Sequence, residues 1–256
     1  MNDGSGDELI VIADIIKRTL STHSVSGSCI SQIPDFFKFM STIANFTIFT
    51  ITCVKKAVGS NFGDGEECPA MLATNIILEM WASFVDQANA LLQSSSPPFT
   101  TALRSFLQSL ALPIFSAYLD MRLVLAAQQV VSNNDDENAM GGGEDDLNYG
   151  DQLDCLNLIA RWDPKSCCGL LRGYIEECAE KLESLFGNRG SSVDETTRSI
   201  LLERIHWLIL ISEHILADSG DGEVPMIPES LLEASVRTSY ALVSKFYLIR
   251  IVDARK

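Results

Sequence analysis

The sequence predicts an all-α protein in which antiparallel helix pairs stack side by side into a solenoid. Three observations carry that prediction. Apolar residues return every three or four positions along most of the chain, the period of a helix with one buried face. Breakers gather into short interruptions, at 94–98, 187–192 and 219–228. The chain has 256 residues and 46% of them are apolar, enough to bury a substantial core.

A first helix is expected over 7–20, with Leu9, Ile12, Ile16 and Leu20 on one face. A second starts near Pro34, a residue suited to the first helical turn. Its run 45–54 is β-branched and would pass locally for a strand, but nothing nearby could pair with a lone strand. The third spans 69–93, with Leu72, Ile76, Met80, Phe84, Ala88 and Leu91 as its stripe and Trp81 beside it. The fourth spans 100–131, where Pro113 should kink or split it. A short helix over 151–162 follows, closed by Pro164. Next come 165–186, burying Leu171, Ile175, Cys178, Leu182 and Leu185, and 195–217, capped by Asp194 with Leu201, Ile205, Leu208, Ile209 and Leu216 inward. A last helix starts at Glu229. About eight helices of this length in paired succession suggest a HEAT-like α-solenoid.

The clearest interruption is chemical. Between Arg122 and Arg161 there is no basic residue, while Asp135, Asp136, Glu137, Glu144, Asp145, Asp146, Asp151 and Asp154 are all acidic. Residues 132–146 therefore read as a flexible acidic loop between an N-terminal group of helices, 1–131, and a C-terminal group, 147–256, whose end 241–256 is the least regular. Clustered acids raise the local potential and speed association with basic proteins. That makes Asp135, Asp136, Glu137, Glu144, Asp145, Asp146 and Asp151 the candidate protein-binding residues, against the plainer reading of a solvated linker.

The formal net charge of −15 repels phosphate backbones and anionic lipid, so nucleic acid is not expected as a partner. The stretch 39–54 lacks charge but is short of a membrane span and rich in Thr, so it reads as a buried helix. The seven cysteines are irregularly spaced without a C-x-x-C pair, as free thiols of a reducing compartment would be. Acidic residues at positions 3, 7 and 8 do not fit a secretory signal.

The search for chemistry returns no catalytic, cofactor or metal residue. Glu203-x-x-His206 occurs once, whereas a carboxylate di-metal site needs two such pairs. H-E-x-x-H and G-x-S-x-G are absent. A calcium loop over 218–229 fails because Glu223 stands where glycine is required. His206, beside Trp207, reads as a packing residue, and adjacent Cys167 and Cys168 read as core thiols.

Several segments go beyond composition. They are Ile205-His206-Trp207-Leu208-Ile209-Leu210-Ile211, then Ile215-Leu216-Ala217-Asp218, then Gly222-Glu223-Val224-Pro225-Met226-Ile227-Pro228-Glu229. Asp151-Gln152-Leu153 after the acid run, Leu78-Glu79-Met80-Trp81 and Ile114-Phe115-Ser116-Ala117-Tyr118-Leu119 fall at compatible distances. In this order they resemble the exportins, nuclear transport receptors of the importin-β superfamily. The similarity spans about 68–234, as an internal stretch of a longer receptor, and the sequence departs from the family after Ser235. The resemblance implies HEAT repeats, no cofactor, and passage between nucleus and cytoplasm. It also implies Ran-GTP, nuclear pore proteins and protein cargo as partners, a hypusine-bearing translation factor among the cargoes. Much of the family's grip on Ran lies toward the receptor's N-terminal end. Trp207 is expected to pack between helix layers. A helical-repeat adaptor with no link to Ran is the alternative.

Overall fold

The computed structural model describes residues 4–22, 35–57, 68–94, 97–133, 145–187 and 195–216. Among them are seven helices and no strand: α1 (Gly4–Thr22), α2 (Phe36–Ala57), α3 (Pro69–Ser94), α4 (Pro97–Asn133), α5 (Asp145–Ala160), α6 (Pro164–Gly187) and α7 (Glu195–Leu216). The expected cap at Asp194, the breaker at 219–228 and the helix from Glu229 lie outside the described residues.

The β-branched segment is helical because its hydroxyls find partners within the helix. Thr47 Oγ1 donates to the Ile43 carbonyl at 2.9 Å, Thr50 to Thr47 at 2.8 Å and Thr52 to Ile48 at 2.7 Å. A buried hydroxyl bonded this way avoids the cost of an unpaired polar group. Phe36, Met40, Ile43, Ala44, Thr47, Thr50, Ile51 and Val54 are buried as a stripe at helical spacing. The helix is longer than the uncharged run suggested. Both α2 and the 98–132 portion of α4 are long and apolar enough to cross a membrane by length and composition.

Pro113 does not split α4, which is continuous for 37 residues. Its ring lies on the exposed side, between buried Ala111 and Ile114. The backbone group it leaves unbonded therefore lies toward water rather than core. Pro164 opens α6 rather than merely ending α5. Asp163 caps α6, its Oδ1 accepting from the Ser166 amide at 3.2 Å, and Pro164 takes the first helical position, where its missing N–H costs nothing.

Helices stack chiefly on their second neighbours in sequence. α1 packs on α3, α3 on α5 and α5 on α7; in parallel, α2 packs on α4 and α4 on α6. The odd and even sets thus form two layers, joined by α2 against α3, α4 against α5 and α7, and α6 against α7. This is the solenoid arrangement, with consecutive helices assigned to opposite layers.

The core lies between the layers. Trp81 is fully buried on α3, edge-on to Phe84 at 5.8 Å and to Trp162 at 6.0 Å. Its indole N–H donates to Thr47 Oγ1 at 2.8 Å, tying α3 to α2 across the layers.

Two expected faces hold only in part. On α1, Leu20 is buried and Leu9 and Ile16 pack against the core, whereas Ile12 is 43% exposed. On α7 the buried residues are Leu201, Trp207, Leu208, Ile211, Ser212 and Ile215, and Leu216 is 47% exposed. α7 touches α4, α5 and α6 at once, so a single stripe does not describe it.

Candidate functional site

Of the candidate acids, Asp135, Asp136, Glu137 and Glu144 lie outside the described residues. Asp145 and Asp146 form the start of α5, six residues before the expected helix start. Acidic residues suit a helix N-terminus, where the peptide dipoles present partial positive charge, so a run that reads as loop can begin a helix. Asp151 is exposed on α5. Asp154, one turn on, has Oδ1 2.8 Å from His214 Nδ1, linking α5 to α7.

The structure reveals what holds that acidic helix in place. Arg122, on α4, is only 2% exposed. Its guanidinium carbon lies 3.6 Å from the Tyr149 ring centroid and 4.4 Å from that of Trp207. The two rings meet edge-to-face at 5.5 Å. Arg122 Nη2 donates to Gln152 Oε1 at 3.2 Å, which also accepts from the Tyr118 hydroxyl at 2.9 Å. Gln152 Nε2 in turn donates to Asn75 Oδ1 at 2.6 Å. Trp207 Nε1 donates to Glu203 Oε1 at 3.1 Å.

A buried cation needs compensation, and here aromatic faces and a shared amide oxygen supply it. Tyr149 and Gln152 sit on the first half of α5, just after the acid run. The cluster therefore fastens the acidic end of α5 to α3, α4 and α7. Trp207 packs between layers as the resemblance implied. Sequence reasoning missed the cluster because Arg122 meets Tyr149 and Trp207 from far along the chain, and the bond from Gln152 to Asn75 spans 77 positions. The available signal was Arg122 itself, a lone cation within the apolar stretch 110–127.

His206, expected to pack, lies on the exposed side with its ring 6.1 Å from Trp207. Among the described residues no three His, Cys, Asp or Glu side chains are grouped to hold a metal ion.

The described cysteines are free thiols. Burial raises Cys167 from 9.0 to about 12 and Cys155 to about 11. For Tyr174 the hydrogen bond to Asp120, then burial, raises the phenol to about 12. None of these groups is a nucleophile at neutral pH. The native state retains their protons where the unfolded chain loses them, so their stabilisation is complete below the unfolded values and declines as pH rises toward the folded ones. Urea midpoints are accordingly expected to hold steady to about pH 8 and to fall between about pH 9 and 11. A midpoint that rises over that interval would contradict the burial of these groups.

Comparison with known proteins places these features in a family. The family model described as Exportin-4 matches residues 4–244. Exportin-4 of Dictyostelium discoideum is 21% identical over 243 residues, covering 88% of this chain and 20% of that protein. The chain thus spans about a fifth of the length of this relative. The match is wider than the 68–234 stretch carrying the resemblance: it includes α1 and α2 and continues past Ser235.

Proposed function

Because the chain belongs to the exportin-4 family, we propose that it is one section of the helical arch of a nuclear export receptor that carries protein cargo with Ran-GTP. The carrying observation is the family match over 4–244. The two-layer stack supports it, since such a stack presents broad surfaces to proteins.

The exposed apolar residues support the same reading. Among the described residues, Val11, Ile12 and Ile15 on α1, Phe39 and Phe49 on α2, and Leu202 and Leu216 on α7 are the large exposed hydrophobics, with Val131 near the end of α4. Among the described helices, α1 and α2 stand at one end of the two layers and α7 at the other. Apolar faces at both ends suit a section flanked by further repeats. The receptor would shuttle between nucleus and cytoplasm, with nuclear pore proteins met along the way. A hypusine-bearing translation factor is a cargo whose cationic side chain suits acidic surfaces.

The test is capture of Ran by the receptor containing this section, with Ran loaded with GTP or GDP. Preference for the GTP form, increased by cargo, is expected. Equal recovery with both nucleotides would leave the adaptor reading. In the same receptor, Asp135, Asp136, Glu137, Glu144, Asp145, Asp146 and Asp151 are replaced by Asn or Gln. Binding of a basic cargo is expected to weaken and to lose salt dependence. Unchanged affinity and salt dependence would reduce the segment to a linker.

A further inference from the structure

α7 carries two apolar lines, and the described helices cover only one of them. Leu201, Leu208 and Ile215 are buried and belong to the core. One residue on, Leu202, Ile209 and Leu216 repeat the same spacing of seven. Leu202 and Leu216 are exposed and Ile209 is half-buried, and among the described residues none of the three packs against the core. Single apolar side chains on a surface need no explanation. Three in line at this interval are different, because a seven-residue step is the seam of one helix against another. One residue turns about 100° round a helix, so a helix lying on the second line would not displace those that cover the first.

The sequence supplies an occupant. Leu232, Val236, Tyr240, Val243 and Tyr247 recur every four or three positions, on one side of the helix expected from Glu229. The other side, at Ser230, Ala234, Thr238 and Ala241, is small or polar. The breaker at 219–228 separates this segment from α7, and consecutive helices joined this way pack antiparallel. Laid back along α7 from Leu216, the segment sets Val236 level with Ile209 and Val243 level with Leu202, since both helices rise equally per residue. The family match runs to residue 244, so most of the stripe falls within it. A second copy of the chain would have to find the seam from solution, whereas this segment is tethered to its end at high effective concentration.

We propose that residues 229–247 close back on α7 and that their stripe from Leu232 to Tyr247 covers the seam of Leu202, Ile209 and Leu216. The segment is then the eighth helix of the stack and the first cover at its α7 end. Repeats beyond this section would meet that helix as well as α7. The assignment rests on the packing of α7 and not on transport.

The test uses the intact 256-residue chain with methyl-labelled Ile, Leu and Val, observed by NMR. Nuclear Overhauser contacts are expected between Val243 and Leu202 and between Val236 and Ile209. They should be unchanged on dilution and absent between differently labelled chains in a mixture. Val236→Asp should erase both contacts and quicken amide exchange over 202–216 about tenfold, as an uncovered helix opens locally, while α3 keeps its protection. Thr238→Asp, on the opposite side of the segment, should change neither. Contacts of Val236 and Val243 with other helices, or with none, would overturn the proposal. Contacts between differently labelled chains would also overturn it, and would assign the seam to a second copy. So would an α7 indifferent to Val236→Asp, or one disturbed equally by Thr238→Asp. Neither nucleotide nor cargo is present, so failure here leaves the Ran reading standing, and failure of Ran capture leaves this one standing.

Discussion

Replacing Arg122 by Ala lowers the unfolding free energy by about 3 kcal/mol, measured by urea denaturation followed by circular dichroism. The substitution removes a side chain that is 2% exposed and leaves a space beside Tyr118, Tyr149, Trp207 and Gln152. It also removes a desolvated cation stacked on two rings, an interaction of about 2 kcal/mol in such surroundings. Arg122→Met separates these contributions. Methionine fills much of the volume but carries no charge, and a buried ion can often be replaced by apolar atoms without loss. Here Met should still fall about 1–2 kcal/mol short of wild type, because the ring faces lose their cation. Gln152 Oε1 keeps the Tyr118 hydroxyl, so no acceptor is stranded in either variant. Full recovery with Met would show that Arg122 acts through volume alone. The loss should also loosen the start of α5, raising amide exchange around Tyr149 and Gln152 before the rest of the chain opens.

The second large effect is expected at Trp81. Trp81→Ala should cost about 3–5 kcal/mol, a large part of the 5–15 kcal/mol that holds a domain folded. The indole is wholly buried and touches the rings of Phe84 and Trp162. It is also one of the points where the two layers meet, through Thr47. Trp81→Phe retains much of the ring contact and deletes the N–H. Thr47 keeps its own bond to the Ile43 carbonyl, so the expected loss is only about 1 kcal/mol for the hydrogen bond, plus a smaller packing change. The same denaturation assay checks both. Equal losses for Ala and Phe would mean that the hydrogen bond, not the packing, dominates this contact.

Much of the fold was legible because it is periodic. Of the expected stripe on α3, Met80, Phe84, Ala88 and Leu91 are buried and Leu72 and Ile76 half-buried, and on α6 Leu171 and Cys178 are buried. Periodicity works there because each helix has one main apolar face. On α7 it is incomplete: Leu201 and Leu208 are buried as expected, but contact with three helices spreads burial around the cylinder, and Leu216 is left exposed. On α1 Leu9, Ile16 and Leu20 pack as expected, but among the described helices α3 alone packs heavily on it, and Ile12 remains open. Local chemistry misled the reading at the acid run, because acids favour both solvated loops and helix starts. Pro164 shows the same ambiguity, since proline after a turn can end one helix or begin the next. Of the Arg122 cluster the sequence shows only a lone cation in an apolar stretch, because no local pattern joins Asn75, Arg122, Tyr149, Gln152 and Trp207. Charge density alone singles out the candidate acids, and density gives no position for a side chain.

In the two-layer stack each helix rests on its second neighbour in sequence. The most direct test of that stack is zero-length carbodiimide coupling, which joins only an amine and a carboxylate already in contact. Lys17 on α1 is paired with Glu79 on α3, across 62 positions of sequence. In dilute solution a Lys17–Glu79 cross-linked peptide is expected by mass spectrometry, and it should be lost in Glu79→Gln. Lys17 joined instead to Asp35 or other residues about α2, with no Glu79 product, would mean that α1 pairs with its immediate neighbour and would contradict the stack.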